Sequence, residues 1–405
     1  MSDPATSEGR EPGEDAVARL DALTGEDGRA LLAELAGHDV TGTDGLRLGT
    51  ALRRRYPAQL VVDAMGQQEL RARAAGKFAG AADMFFTRAG WEQASAEVVS
   101  AHRAARFAGA ATMADLCCGI GGDLVALARD REVLGVDRDP VHLWMARRNA
   151  FVHGVAGNVT VRRSDVRDVD LSGVDAVFVD PARRTARGRR PVGDSEPPLD
   201  WCVALAERVP RVGIKAAPGL PHETVPAGWE LEFVAVDRDL KEATAWSPAL
   251  ATAHTRATIL PGGHTLMGSP GDPVPVRGPG AFLLDPSPAV TRAGLVEDVA
   301  RLTGAWKIDD RIAFLSTDTL VRTPFARTLQ VIDSGPWHQK QLPERLRRLD
   351  IGAVDIRRRG LAGDVDALQK RLRLTGSRRA TLVMTRVSDR PWALVCVDIS
   401  PAVSP

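Results

Sequence analysis

Four aspartates close or directly follow successive apolar runs, and their order is the most informative chemistry in the chain. Asp115 ends TMAD, Asp137 ends EVLGVD, Asp165 follows VTVRRS and Asp180 ends DAVFVD. The first opens the segment DLCCGIGGD, whose glycines Gly119, Gly121 and Gly122 let a backbone turn sharply and pass close to a ligand. A carboxylate at Asp115 can accept from a ligand ammonium. Asp137, 22 residues further on, is placed to take both hydroxyls of a ribose, and Asp165 suits the amino group of an adenine. Asp180-Pro181 stands where open α/β sheets carry their chemistry, at the carboxyl end of a strand. The turn lacks the G-x-G-x-x-G spacing of a pyrophosphate site, since Asp123 and Leu124 follow the last glycine.

The elements needed to hold these groups are legible in the pattern. From residue 112 to 180, strand, glycine turn and helix alternate (TMADLC, DLVALARD, EVLGVD, DPVHLWMARRNAFVHG, VTVRRSD, DAVFVD), which predicts a parallel sheet with helices on both faces. RVGIKA, WELEFVAV and ATIL extend it, so an α/β domain is expected over 85–262. Residues 1–15 lack apolar periodicity and read as a disordered tail, whereas 16–84 place Leu and Ala at helical spacing and read as a small helical domain. A helix is expected from Ser95 to Phe107 with Ser95 as its N-cap. The Gly/Pro-rich stretch 263–280 reads as a linker, and 281–405, with short strands and helices including TRAGLVEDVARLTG, as an α+β domain.

Acids at four successive strand ends are the arrangement of a methyltransferase rather than of a nicotinamide enzyme, and S-adenosylmethionine is the expected cofactor. Methyl transfer from a sulfonium needs an aligned nucleophile and an outlet for its proton. Asp180, beside Pro181, could accept the protons of an exocyclic amine and aim its lone pair. A second arrangement uses Lys77, Asp180, Lys215 and Glu242, which resemble in order and rough spacing the Lys-Asp-Lys-Glu set of ribose 2′-hydroxyl methyltransferases, where a lysine removes the hydroxyl proton. Carbon-5 methylation of a pyrimidine needs a cysteine nucleophile, and IKAAPG after the fifth strand has none. Asp180, Pro181 and Lys215 are therefore the catalytic candidates.

These residues also carry a family resemblance. From Gly90 to Pro181 the chain resembles the trimethylguanosine synthase family of class I methyltransferases: Gly90-Trp91, Ser95-Ala96-Glu97 where that family has Thr-Pro-Glu, His102, the DLCCGIGGD turn, VLGVDRDPVHLWMARRNAFVHG and the strand ending at Asp180. Over its whole length it is similar to bacterial class I methyltransferases with a C-terminal THUMP-like domain, opened here by FLLDPSPAVTRAGLV. The resemblance implies a Rossmann-like sheet flanked by an N-terminal helical domain and a THUMP-like α+β domain, an RNA substrate, cofactor contacts at Asp115, Gly119, Asp137 and Asp165, and Ser95 near the methionine carboxylate. With their neighbours, the candidate cofactor residues are Ser95, Asp115, Cys117, Gly119, Gly121, Asp137, Arg138, Asp165 and Val166. The fourth strand departs from the family's Ser-Pro-Pro-Trp, reading Asp180-Pro181-Ala182-Arg183-Arg184. The tryptophan that would stack on a cap guanine is missing, which speaks against a cap substrate.

Charge bears on the partner. The net charge is only +1, so any field for nucleic acid must be local. Residues 340–379 hold twelve Lys/Arg against five Asp/Glu, and Arg357, Arg358 and Arg359 form a run at the end of a strand. Arg183 and Arg184, followed by Arg187, Arg189 and Arg190, could hold phosphates on a loop. Both groups are candidate RNA contacts. The four cysteines form no C-x-x-C pair and no disulfide framework, so no metal is expected. No apolar run approaches the ~20 residues of a membrane span, and the first residues form no signal layout, so a cytoplasmic protein is expected. The chain thus reads as a methyltransferase acting on a base amine of tRNA or rRNA. A ribose methyltransferase, a small-molecule or protein methyltransferase and an RNA-binding module without turnover remain as alternatives, and the oligomeric state is open.

Overall fold

A computed structural model describes residues 13–182, 184–185, 188–189 and 195–399. The expected tail falls almost wholly outside them. The chain divides into two compact units, one of Met1–Trp229 with Thr244–Ala251, the other of Glu230–Ala243 with Thr252–Pro405. Residues 230–243 and 252–262, expected with the α/β domain, thus belong to the second unit, and the N-terminal helices to the first.

The first unit opens with α1 (Glu14–Thr24), α2 (Glu26–Leu35), α3 (Gly42–Leu52) and α4 (Ala58–Ala74). Their apolar stripes, among them Leu20, Leu23, Leu31, Leu35, Leu60 and Val61, close on one core that continues through Phe78, Phe85 and Phe86 to Ile120 and Met145. Two shorter helices follow, α5 (Arg88–Gln93), capped by Thr87, whose hydroxyl accepts from the Gly90 N–H at 2.9 Å, and α6 (Glu97–Arg106). Ser95 is not the cap of α6. That position is Ala96, and the Ser95 hydroxyl turns inward to a buried carboxylate, a stronger partner than a solvated helix end.

The α/β layer comprises β1 (Thr112–Leu116), α7 (Gly122–Leu127), β2 (Glu132–Asp137), α8 (Pro140–Val152), β3 (Val159–Arg163), β4 (Ala176–Val179), the short pair β5 (Arg184–Thr185) and β6 (Gly188–Arg189), α9 (Leu199–Ala204) and β7 (Arg211–Ala216). Strands β7, β4, β1, β2 and β3 lie side by side in that order and all run parallel. Residues 176–179 are all buried, as befits a strand covered on both faces. From β1 the chain moves outward through β2 to β3, then returns to β1's other side with β4. The crevice at the carboxyl ends of β1 and β4 is therefore the switch point of the sheet, where ligands bind in this architecture.

The second unit begins with β8 (Glu230–Val236); β9 (Asp239–Trp246) has residues in both units, and β10 (Thr255–Leu260) and β11 (His264–Met267) follow. β8 pairs with β10 in parallel, and β11 pairs antiparallel with β10. The stretch 263–280 is thus not simply a linker, because its HTLM segment pairs antiparallel with β10 and Val276 bridges to Lys307. Then come β12 (Phe282–Pro286), α10 (Pro288–Ala293), α11 (Val296–Thr303), β13 (Trp306–Lys307), β14 (Leu315–Thr317), β15 (Ala326–Pro336), α12 (Leu342–Arg348), β16 (Ile351–Arg358), α13 (Val365–Arg371), β17 (Arg378–Val387) and β18 (Arg390–Asp398). The helix expected over 291–304 is two helices, because Gly294 takes a left-handed φ of 74° and ends the first. The strands form a sheet in the order β13-β14-β12-β15-β18-β17-β16, antiparallel except for β16 and β17. Leu382 and Met384 of β17 enter one core with α12 and α13, and Val383 and Val387 another, the alternation of a strand covered on both faces.

Candidate active site

The turn after β1 reverses the chain with three left-handed residues, Cys117 (φ 63°), Gly119 (φ 53°) and Gly121 (φ 85°). A side chain at Gly121 would lie 3.0 Å from the Cα of Ala146, so the glycine also lets α8 pack onto the turn. Asn149, fully buried on α8, clamps the turn from behind. Its amide donates to the Ile120 carbonyl at 2.8 Å and the Phe85 carbonyl at 3.1 Å, and its oxygen accepts from the Phe85 N–H at 2.8 Å. Gly90 of α5 rests on the same Ile120, where a Cβ would come within 2.4 Å of Cγ2. Sequence reasoning singles out neither Asn149 nor Gly90 for this role. The one signal for Asn149 is an amide at helical spacing from the apolar Leu143, Met145, Ala146 and Ala150, which share its buried face of α8.

Asp115 is 1% exposed, and neither of its oxygens has a hydrogen-bond partner among the described residues. Burial raises its pKa well above the usual carboxylate range, Asp180 and Asp137 raise it further, and Arg103 and Lys215 oppose them. A dry carboxylate without donors is unfavourable, so this position fits a ligand that brings its own cation. The ammonium of a methionine moiety answers that description. Asp137 is fixed differently, its Oδ2 accepting from the Gly119 N–H at 2.9 Å and its Oδ1 from the Asp139 N–H at 3.0 Å. It ties the glycine turn to the end of β2. Asp165 accepts from the Arg167 N–H at 2.9 Å, the bond that chiefly lowers its pKa, and has the Arg167 guanidinium at 3.2 Å and that of Arg138 at 3.5 Å. Val166 beside it is buried. Burial drives the Cys117 thiol strongly upward, which makes it no nucleophile.

Ser95, Arg103 and Asp123 form a buried cluster next to the turn. Arg103 is ion-paired with the Asp123 carboxylate, both its terminal nitrogens lie 3.3 Å from Ser95 Oγ, and its guanidinium stacks 4.5 Å from the Phe178 ring centroid. Ser95 donates to Asp123 Oδ2 at 3.2 Å. Arg103 is not among the expected site residues, since an arginine on an amphipathic helix in an arginine-rich chain carries little signal.

At the end of β4 the Asp180 N–H donates to the Leu116 carbonyl at 3.1 Å, which sets Asp180-Pro181 beside the Asp115 strand end. Lys215, from the end of neighbouring β7, is 4% exposed and donates to Asp180 Oδ2 at 2.7 Å, while Asp180 is 26% exposed. Lys215 also approaches the Gln93 carbonyl at 3.4 Å, and Lys77 donates to the Trp91 carbonyl at 2.7 Å, so both lysines serve the carbonyl end of α5. Of the four-residue set, the structure brings Asp180 and Lys215 together. Glu242 is buried and belongs to the second unit. Arg183, Arg187 and Arg190 lie outside the described residues, and Arg184 and Arg189 are described only as backbone in β5 and β6. Backbone bonds between Ala182 and Glu196 close the base of that segment.

In the second unit the expected arginine run is largely absorbed by its own protein. Arg359 donates to the Ala313 carbonyl at 2.7 Å, pairs with Asp285 at 3.0 Å and stacks 4.8 Å from the Phe314 ring centroid. Arg357 lies 3.9 Å from the same Asp285, and Arg358 donates to the Gly363 carbonyl. The run does not present three free guanidinia, because Asp285 inside β12 draws two of them back onto the sheet. Among the described residues no group of His, Cys, Asp and Glu is placed to hold a metal ion, and no helix is long and apolar enough to cross a membrane.

Comparison with known proteins matches three parts of the chain: residues 15–74 to a domain of unknown function, 110–189 to the RNA cap guanine-N2 methyltransferase family and 326–397 to the THUMP domain-like family. The chain is 38% identical over 335 residues to an uncharacterized S-adenosylmethionine-dependent methyltransferase of Mycobacterium tuberculosis (strain CDC 1551 / Oshkosh), covering 78% of this chain and 90% of that protein. A crystal structure from Porphyromonas gingivalis W83, described as that of a methyltransferase, superposes with a TM-score of 0.75 at 20% identity over 94% of this chain and 98% of that one. The likeness in fold therefore extends over nearly the whole of both chains.

Proposed function

Because the chain belongs to the S-adenosylmethionine-dependent methyltransferases, we propose that its site methylates an exocyclic base amine of an RNA, in the cytoplasm. The cofactor supplies an electrophilic methyl group on a sulfonium. Asp115 is read as the partner of the methionine ammonium, Ser95 as a neighbour of the methionine carboxylate, Asp137 as the ribose acceptor and Asp165 as the adenine acceptor, with Cys117, Gly119 and Gly121 from the turn and Arg138 and Val166 next to the two strand-end acids. The observation that carries the reading is the Asp180–Lys215 pair. Lys215 holds Oδ2 from the buried side, so the half-buried Asp180 keeps Oδ1 without a hydrogen bond among the described residues. An amine placed there would give one N–H to Oδ1 and direct its lone pair at the methyl carbon; as the N–C bond forms, the methyl–sulfur bond breaks and the amine proton passes to Oδ1. Pro181 fixes the chain direction after the acid.

The RNA part of the reading is supported by the two RNA-linked family matches, at 110–189 and 326–397. A ribose hydroxyl is the second reading, favoured by the same pair, since an Asp-Lys arrangement also serves hydroxyl deprotonation. Labelled methyl transfer from S-adenosylmethionine to total RNA, followed by mass spectrometry of the nucleosides, tests both. An N-methylated base whose formation fails in Asp180→Ala is the expected result. A 2′-O-methyl nucleoside moves the assignment to ribose, and absence of RNA label with label in another acceptor overturns the substrate class.

A further inference from the structure

A buried ion pair that merely joins two helices needs no third partner, yet the Arg103–Asp123 pair between α6 and α7 has several. Phe178, stacked against the Arg103 guanidinium, is the register partner of Asp115 on the adjacent parallel strand, so the side chains of Phe178 and Asp115 leave the sheet on the same face. Arg103 therefore lies on the side of the sheet that carries Asp115. The two groups feel one another: burial and then Asp180 push the Asp115 carboxyl up, and Arg103 is the stronger of the two cations that pull it down.

Ser95 joins this pair from the segment before α6. A Cβ on Gly122, the first residue of α7, would come 3.2 Å from Ala94 Cβ, so the glycine lets that segment rest on α7 and brings Ser95 to Asp123. A hydroxyl has one proton to give and two lone pairs to fill, whereas a guanidinium only donates. Arg103 turns both terminal nitrogens toward Ser95 Oγ, each at 3.3 Å. Ser95 thus accepts from Arg103, and its own proton must go elsewhere. That proton is given to Asp123 Oδ2 at 3.2 Å, well beyond the ~2.5–2.7 Å usual for a hydroxyl on a carboxylate. Because Asp123 is already matched by Arg103, this long bond is one the cluster can give up.

We propose that Arg103 is a positioning residue for the cofactor: it fixes the Ser95 hydroxyl as a donor to the methionine carboxylate, while Asp115 on the same side of the sheet serves the ammonium. The proposal rests on the reading of Ser95 as a neighbour of that carboxylate and names what sets the sense of its hydrogen bond. Arg103 does not itself meet the ligand, being buried and paired with Asp123. It acts through Ser95 in two ways. A guanidinium behind the hydroxyl oxygen polarises the O–H outward, and its charge offsets the Asp123 carboxylate, which would otherwise repel an arriving anion. A serine turned the other way, lone pairs outward, would repel it as well. The consequence is selectivity for ligands that carry a carboxylate on the methionine arm over ligands that carry the ammonium alone.

The test is calorimetric binding of S-adenosylhomocysteine and of its decarboxylated form, which keeps the ammonium and lacks the carboxylate, to the full chain. The quantity read is the ratio of the two affinities, which a general loosening of the pocket leaves unchanged because both ligands fill it. The variants are S95A, R103M/D123L, the triple S95A/R103M/D123L, and R103K; melting curves confirm folding. Removing both buried charges together avoids stranding either, and R103Q, expected to act in the same direction, replaces the double variant should it not fold. S95A and R103M/D123L are each expected to lower the ratio by about 10-fold or more, the scale of one hydrogen bond to a charged group. The triple variant is expected to fall no further than S95A, and R103K to keep most of the wild-type ratio. R103M/D123L with the wild-type ratio, where S95A lowers it, overturns the positioning role and leaves Ser95 on the carboxylate. S95A with the wild-type ratio overturns the reading of Ser95 and the proposal with it. Equal weakening of both ligands in R103M/D123L assigns the pair to the fold alone, and a further fall in the triple variant routes Arg103 past Ser95; either result overturns the proposal.

Discussion

Lys215 Nζ lies 2.7 Å from Asp180 Oδ2 across the ends of adjacent strands β7 and β4, and the lysine is the far more deeply buried of the two. On the proposed reading the roles are unequal: Asp180 would meet the acceptor and Lys215 would position Asp180. For an amine acceptor, Asp180→Ala is expected to lower turnover by about 10²-fold or more with cofactor affinity retained. Lys215→Met, which removes the buried charge along with its partner bond, is expected to cost far less. For a ribose acceptor the two losses are expected to be equal. Single-turnover rates at several pH values separate the cases, and near-wild-type turnover in Asp180→Ala removes Asp180 from catalysis altogether. Since Asp180→Ala also leaves a buried ammonium unpaired, at up to about 3–5 kcal/mol of stability, Asp180→Asn is measured beside it.

Asn149 joins the segment before α5 to the glycine turn after β1 through three hydrogen bonds. Asn149→Ala strands the Phe85 N–H and the Ile120 carbonyl in a dry core, at about 1–3 kcal/mol for each group left unmatched. Melting temperature is expected to fall, and the extra stabilisation by S-adenosylhomocysteine to shrink, because the Ile120 turn loses its backing. Gly90→Ala should act in the same direction, by about 1–3 kcal/mol, through the clash with Ile120 Cγ2. A ligand-induced shift unchanged in both variants would show that the clamp supports the fold and not the site.

What can be read from the sequence follows from the range of the interactions involved. The strand, turn and helix order from 112 to 180 is local, and so are the four acids at the strand ends, since each apolar run announces its own termination. Ser95 is misread as a cap because a hydroxyl before a helix has two possible partners, the helix N–H groups two and three residues on and an acid 28 residues away, and only the folded chain shows the second. The same limit hides Arg103 and Asn149, whose partners lie far off in sequence. The arginine run 357–359 looks like an anion site because its neutralising acid, Asp285, sits more than 70 residues earlier.

Asp137 holds the turn and, on the proposed reading, also takes the cofactor ribose, and two substitutions tell those duties apart. Asp137→Ala removes the acceptor for the Gly119 and Asp139 N–H groups. Cofactor affinity is expected to weaken by about 1–3 kcal/mol, measured by calorimetry. Asp137→Asn retains one oxygen acceptor and is expected to recover part of that loss. Unchanged affinity in a folded Asp137→Ala would remove Asp137 from the ribose side.

Asp115 gives a pH dependence whose sign is fixed. Burial, then Asp180, raises its folded pKa, Asp137 adds to this, and Arg103 and Lys215 act against it. Below the unfolded pKa of about 3.9 the acid is protonated in both states, and its contribution to stability is fully present. As pH rises the unfolded chain releases the proton first, so stability is lost at up to about 1.4 kcal/mol per pH unit until the folded pKa is passed. Asp115→Asn abolishes that slope, and its melting temperature without ligand is expected to gain on the wild type from pH 4 toward neutrality. Binding reverses the preference, because a methionine ammonium needs the ionised carboxylate. At pH values below the folded pKa each cofactor bound should expel close to one proton from the wild type and none from Asp115→Asn, which should also bind more weakly. Calorimetry in buffers of different ionisation enthalpy measures this directly. A binding enthalpy independent of buffer, together with a flat melting difference across pH, would mean that Asp115 is already ionised in the free protein and that its missing hydrogen bonds are supplied by water.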